Sequence, residues 1–209
     1  MSEADATIDE VVEEEISELS LLPNEEQLEL AERIIARLNP PHRAAIPKMI
    51  HTKAKYVGSI IAGWMVFWWL TVQQAGDNGF ESIFFGPDFL LISILAPLLV
   101  FMGSLLSDFS REMGKLFPGL VSGVMFVFAV LYVCEPAVLG MVDDISISSA
   151  LWMTVRLLIL CSTTWFAAKL LIDAWLLGWV KALMESYPEL DFSEPEIIEE
   201  EALVADTEA

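Results

Sequence analysis

Histidine and cysteine, the residues that most often build metal centres and redox sites, number only two each among 209 residues. His42 and His51 have no Cys or Asp close by, which makes a metal site a poor reading of the pair. Cys134 and Cys161 both fall in apolar runs, with no CxxC or Cys/His spacing, so neither a zinc site nor a disulfide framework is implied. No cofactor and no metal are expected. Basic residues are also few: 11 Lys and Arg stand against 31 Asp and Glu, for a net charge of −20. A nucleic-acid partner, which demands a basic surface, is not expected on that balance.

Other absences narrow the reading further. The sequence contains no HExxH, GxSxG, GxxxxGKS or GxGxxG motif, and nothing nominates a catalytic residue. A non-enzyme is therefore expected. The first fifty residues are acidic and polar, without the basic start and short apolar run of a signal peptide. Asn-x-Ser/Thr acceptors and terminal lipidation motifs are missing as well.

What the sequence does have is apolar mass: 55% of its residues are hydrophobic, including seven Trp and twelve Phe. So much apolar surface and so much negative charge do not suit one uniform soluble domain, and they are segregated. Residues 1–38 hold twelve acids and residues 182–209 hold ten, leaving nine for the whole middle of the chain. In that middle, 21 uncharged residues separate Lys55 from Asp77, and 19 separate Asp88 from Asp108. Another 19 separate Lys115 from Glu135, and 24 lie between Asp144 and Lys169, broken only by Arg156. Runs of about twenty residues without charge are the mark of spanning helices. The expected fold is an all-α integral membrane protein with four transmembrane helices, over about 56–75, 89–107, 116–135 and 152–175, inside a bundle at 56–181. Short connections favour an up-down-up-down order. Pro97 falls mid-span and is expected to kink the second helix.

Orientation follows from Lys and Arg in the connecting segments. Nine lie before span one, between spans two and three, or after span four; the loops at 73–88 and 135–149 have none. Both termini are therefore expected in the cytoplasm, and the localisation is a multi-pass protein of a prokaryotic cytoplasmic membrane.

At the N-terminal end, residues 1–23 read as a disordered acidic tail. Residues 24–39 read as a cytoplasmic amphipathic helix with Leu28, Ala31, Ile34, Ile35 and Leu38 on one stripe. Asn24 with Gln27 suggests a capping box, and Asn39-Pro40-Pro41 a stop. Residues 40–55 form a basic juxtamembrane segment, and 182–209 a second acidic disordered tail.

Ionisable groups inside spans are functional candidates by default. Lys169 and Asp173, one turn apart in span four, are expected to pair with each other at the inner interface, aided by Asp108 and Glu112. Ser162, Phe166, Lys169 and Asp173 share a face that is expected to point into the bundle. Arg156 is expected to meet Glu135 near the outer edge, or else Asp143 or Asp144. Gly119 and Gly123 make a small-xxx-small pair for helix packing or homodimerisation. The best functional expectation is a non-catalytic accessory, scaffold or assembly subunit acting through its cytoplasmic ends. Its partners would be the lipid bilayer, a membrane or cytoplasmic protein, or a second copy of itself. The alternative is a small oligomeric cation transporter or channel, suggested by the outer acids Asp77, Glu81, Asp88, Glu135, Asp143 and Asp144.

Overall fold

The structure, a computed structural model, describes residues 25–41, 43–73, 80–142 and 146–187. Asn24, His42, Asp77, Asp143, Asp144 and the stretches 1–23 and 188–209 lie outside the described residues, and with them the expectations for the acidic tails and the capping box. The described chain is all helical: α1 (Glu25–Leu38), α2 (Ile46–Thr71), α3 (Phe89–Met113), α4 (Leu116–Val142) and α5 (Ile147–Ser186), with a 3₁₀ turn at Arg43–Ala45 before α2. It divides into two compact units. One is Met1–Pro47 with Leu176–Ala209, and the other is Lys48–Trp175.

In the first unit, α1 has the fourteen residues its apolar stripe implies, with Ala31 and Ile34 buried. Its end is set by Asn39, which takes a φ of 41° and donates its N–H to the Ile35 carbonyl, 2.8 Å away. Asn is one of the few residues that adopts this left-handed geometry readily. In the last turns of α5, Leu176, Leu177, Val180, Leu183 and Met184 are buried.

Three helices among the described residues are long and apolar enough to cross a membrane: Phe89–Glu112, Leu116–Val142 and Ile147–Ser186. At 26 residues α2 has the length but is less apolar. Its first half carries Lys48, His51, Lys53, Lys55 and Tyr56, and its second half Trp64, Trp68 and Trp69, whose rings combine apolar area with a polar N–H.

Several boundaries differ from the sequence reading. Of the basic segment at 40–55, the residues from Ile46 onward form the first turns of α2. The third helix does not stop at Glu135: it continues through Pro136 to Val142. Glu135 and Pro136 are both buried there, and the following residues pack closely, so charge and proline do not end the helix. The last helix runs to Ser186, taking five residues from the expected C-terminal tail at 182–209. Pro97 lies inside α3, as expected from its place in the second uncharged run.

The turns have local causes. Asp88 caps α3, its Oδ1 accepting from the Leu91 N–H at 2.8 Å. At the other end Gly114 takes a φ of 64°, the left-handed residue that commonly closes a helix. Only Gly114 and Lys115 then separate α3 from α4, and Ser110 Oγ donates to the Lys115 carbonyl at 2.6 Å across this hairpin.

Within the second unit the core joins Ile92, Ala96 and Val100 of α3 to Tyr132 of α4 and to Leu157 and Leu160 of α5. Trp64, Phe67 and Trp68 of α2 pack against it. Polar contacts fix the register: Trp64 Nε1 donates to the Leu160 carbonyl (3.3 Å), Trp68 Nε1 to Ser93 Oγ (2.8 Å), and Ser122 Oγ to the Gly103 carbonyl (2.7 Å). α3 is the most enclosed, with 44% of its most apolar window buried against 22% for α4. Accordingly α4 turns Leu116, Phe117, Leu120 and Val127 outward, an apolar surface suited to lipid.

α4 and α5 approach closely at Gly140, where an added Cβ would fall 2.3 Å from the Ala150 Cβ. At Gly123 nothing lies within 4 Å of the added atom. Gly140→Ala should therefore destabilise the protein by about 1–3 kcal/mol through overpacking, whereas Gly123→Ala should be neutral or slightly stabilising. Thermal unfolding in detergent of the two variants beside the parent measures this; equal melting temperatures would contradict the close approach.

Candidate functional site: a charged layer joining three helices

Charged side chains in an apolar setting need partners, because leaving a charge uncompensated there is expensive. In the second unit such groups gather at one level. Asp108, Arg111 and Glu112 occupy the last turns of α3. Lys169 and Asp173 lie one turn apart on α5, and Lys53 sits two turns into α2. Lys169 Nζ donates to Asp108 Oδ1. Lys53 Nζ donates to Asp173 Oδ2 at 2.8 Å. Arg111 stands 3.9 Å from Asp108 and 3.5 Å from Glu112. The layer thus contains three cations and three anions.

Burial ranks these contacts. The Asp108 side chain is 7% exposed and that of Lys169 35%; Lys53 and Asp173 stand at 21% and 27%. The Arg111 side chain is 60% exposed, so its two contacts are screened and worth little. The two cross-helix pairs are the ones that matter: one ties α3 to α5, the other α2 to α5.

The expected pairing of Lys169 with Asp173 is thereby corrected. Each takes its ion-pair partner from a neighbouring helix. Side chains on a helix lean toward its N-terminus, so Lys169 reaches back to the end of α3. Asp173, about 6 Å further along the axis, meets the start of α2. Asp108 takes the supporting position foreseen for it, whereas Glu112 stands beside Arg111. Lys53 was counted in the sequence only toward the charge bias of the connecting segments. Its depth is the available signal, three residues before the first uncharged run begins at Tyr56. The face proposed for these residues is also rotated: Ser162 and Phe166 are exposed, and the buried side of α5 is formed by Leu157, Leu160, Ala168 and Ile172.

At the opposite end the expected partnership of Arg156 with Glu135 is replaced by another. Glu135 is 4% exposed. It accepts from Ser82 Oγ (2.6 Å to Oε2) and from the Ile83 N–H, both in the segment before α3. Arg156 forms no ion pair among the described residues, and Asp143 and Asp144 lie outside them. The segment held by Glu135 is a tight turn in which Ser82 N–H donates to the Pro87 carbonyl (3.0 Å) and Gly86 N–H to the Ser82 carbonyl (3.2 Å). Phe85 and Gly86 take φ values of 68° and 66° to close it. Phe80 meets Phe89 edge-on and Phe84 meets Tyr132.

The glycine pair divides. A Cβ on Gly119 would lie 2.7 Å from Ser110 Oγ, so this residue serves the hairpin between α3 and α4, while Gly123 is open. No family model, curated protein or solved structure matches this chain.

Two outcomes follow. In double-mutant cycles read by thermal unfolding, Lys169→Met with Asp108→Asn, and Lys53→Met with Asp173→Asn, should each show coupling of about 1 kcal/mol. Lys169→Met with Asp173→Asn should come closer to additive; stronger coupling there than in either cross-helix pair would refute the arrangement. At the turn before α3, Glu135→Ala should lower stability by about 1–3 kcal/mol, because it strands the Ile83 N–H and leaves the Ser82 hydroxyl only its 3.2 Å contact with the Phe84 carbonyl. It should also raise proteolytic cleavage within 80–88, and Glu135→Gln, which keeps an acceptor, should do less harm.

Proposed function

We propose that this is a four-span protein of a prokaryotic cytoplasmic membrane, with both termini inside, acting as a non-catalytic accessory, scaffold or assembly subunit. α2 is the fourth span in this reading. At 26 residues it is about 39 Å long, enough for a hydrocarbon core of roughly 30 Å. Its lower hydropathy comes largely from Lys48, His51, Lys53 and Lys55 in its first half, and the indole N–H groups of Trp64 and Trp68 are hydrogen-bonded to α5 and α3. The orientation rests on the nine-to-none bias of Lys and Arg, which puts the charged layer at the inner face and the Glu135 turn at the outer one.

One observation carries the functional part. The ionisable groups Asp108, Lys169, Lys53 and Asp173 are engaged with one another, helix to helix. That is how a structural frame uses charge. A transport or catalytic site would hold such groups toward a substrate. The material for interaction lies instead at the cytoplasmic ends: the exposed acids Glu25, Glu26, Glu29 and Glu32 of α1, and the acidic sequences on either side of the spans. A second reading, a small oligomeric cation transporter or channel, draws on the outer acids, among them Glu81 and Asp88 at the mouth of the turn.

Purification of the full chain from its own membranes in mild detergent separates the two. A stoichiometric partner that is lost when 188–209 or 1–23 is deleted supports the first reading. A homo-oligomer that conducts cations in proteoliposomes supports the second and overturns the first. For topology, single cysteines replacing Phe85 and Glu185, in a background without Cys134 and Cys161, should label from outside only at position 85. Outside labelling at position 185 would reverse the orientation.

A further inference from the structure

The exposed face of α2 changes character along its length. Lys48, His51, Thr52, Lys55 and Ser59 follow i, i+3, i+4, i+7, i+11 spacing and are all exposed. Lys53, between them, turns away to Asp173. Lys48 and Lys55 form no ion pair among the described residues, and α2 contains no Asp or Glu in its 26 residues. His51, Thr52, Lys55, Tyr56 and Ser59 line a recess of about 300 Å³. It offers an ammonium, an imidazole and hydroxyls beside an aromatic ring, with no anion of its own to satisfy them.

Higher on the same helix the surface is apolar and partly hollow. At Gly58 and Gly63 nothing lies within 4 Å of an added Cβ. Above them, Trp64, Met65, Val66, Trp68 and Trp69, with Ile94 of α3, line an open groove of about 500 Å³. Trp64 and Trp68 lie parallel, with centroids 6.5 Å apart and 5° between their planes. Both are half-buried against the core with their N–H groups turned inward to partners, and the exposed ring of the groove is that of Trp69, beside Met65. From Lys55 to Met65 is ten residues, about 15 Å along the axis, or half of a hydrocarbon core of roughly 30 Å. A cationic, hydroxyl-bearing recess at the interface and an apolar groove one leaflet deeper match the two ends of a single molecule.

We infer that this face of α2 is a binding site for an anionic phospholipid, its phosphate held by Lys48, His51 and Lys55 and its acyl chain running past Gly58 into the tryptophan-lined groove. Charge complementarity identifies the head: each Lys near a membrane surface favours an anionic lipid by a factor of roughly five. The groove identifies the tail, and it separates this site from general attraction to a charged leaflet. The inference rests on the reading of α2 as a membrane span.

The test uses the full chain in nanodiscs containing phosphatidylcholine with a minor share of phosphatidylglycerol, one lipid or the other carrying brominated acyl chains that quench tryptophan. Trp152, Trp165, Trp175 and Trp179 are replaced by Phe, leaving the three tryptophans of α2. Brominated phosphatidylglycerol should quench well beyond its share of the bilayer, and Lys48→Gln with Lys55→Gln should abolish that excess. Lys181→Gln, on a cation paired with Glu185 in α5, should leave it unchanged. Native mass spectrometry of the chain with all seven tryptophans in place serves as a second measurement. Retained phosphatidylglycerol should fall by about twenty-five-fold in the double variant, with phosphatidylcholine unaffected. Quenching in proportion to composition, or unchanged retention in the double variant, overturns the lipid site while leaving α2 as a span. Absence of quenching by either lipid overturns the span itself.

Discussion

The contact between Lys169 and Asp108 governs much of what surrounds it. A lysine in the body of a hydrophobic helix is tolerated only if a compensating charge is held within reach. Here that charge comes from the end of α3, so the junction of α3 with α4 and the position of α5 must agree to within a side chain's length. Asp173 repeats the demand one turn later and is met by α2. Two pairs therefore set the relative depth of three helices. Apolar packing alone would not, because lipid-facing leucines and valines slide past one another with little penalty.

The same logic of local satisfaction operates at the other end with neutral donors. Glu135 lies inside α4 and directly before a proline, where a sequence-based reading places a helix end. The carboxylate is accommodated because the turn before α3 folds over it and supplies a hydroxyl and an amide N–H. Pro136 removes one donor from the helical ladder. The helix nevertheless continues, and Gly140 lets Ala150 approach where any larger residue would hold α4 and α5 apart. Glycine here acts through the absence of bulk, in contrast to Gly114, which acts through a backbone angle.

Much of this was legible in the residues alone. Long uncharged runs announced the apolar helices α3, α4 and α5, and the stripe from Leu28 to Leu38 announced α1 with its length. Asp108 was identified as a partner at the right depth. What could not be read was which neighbour each charge would choose. Spacing along one helix favours Lys169 with Asp173, since that pair needs no knowledge of packing. The actual pairs join residues 61 and 120 positions apart, and only the arrangement of helices decides them. The Glu135 turn was hidden for a related reason: Ser82 and Ile83 carry no signal that they will meet a carboxylate more than fifty residues away. The remaining difficulty was α2. Lys48, His51, Lys53 and Lys55 lower the hydropathy of α2, and no measure of composition records where the indole N–H groups of Trp64 and Trp68 point.

α5 holds forty residues in one unbroken helix without a proline, about 60 Å of rod. That is twice the thickness of a hydrocarbon core. About twenty of its residues already span such a core, so in a span that begins at Ile147 the pairs made by Lys169 and Asp173, 22 and 26 residues on, would fall where hydrocarbon gives way to water.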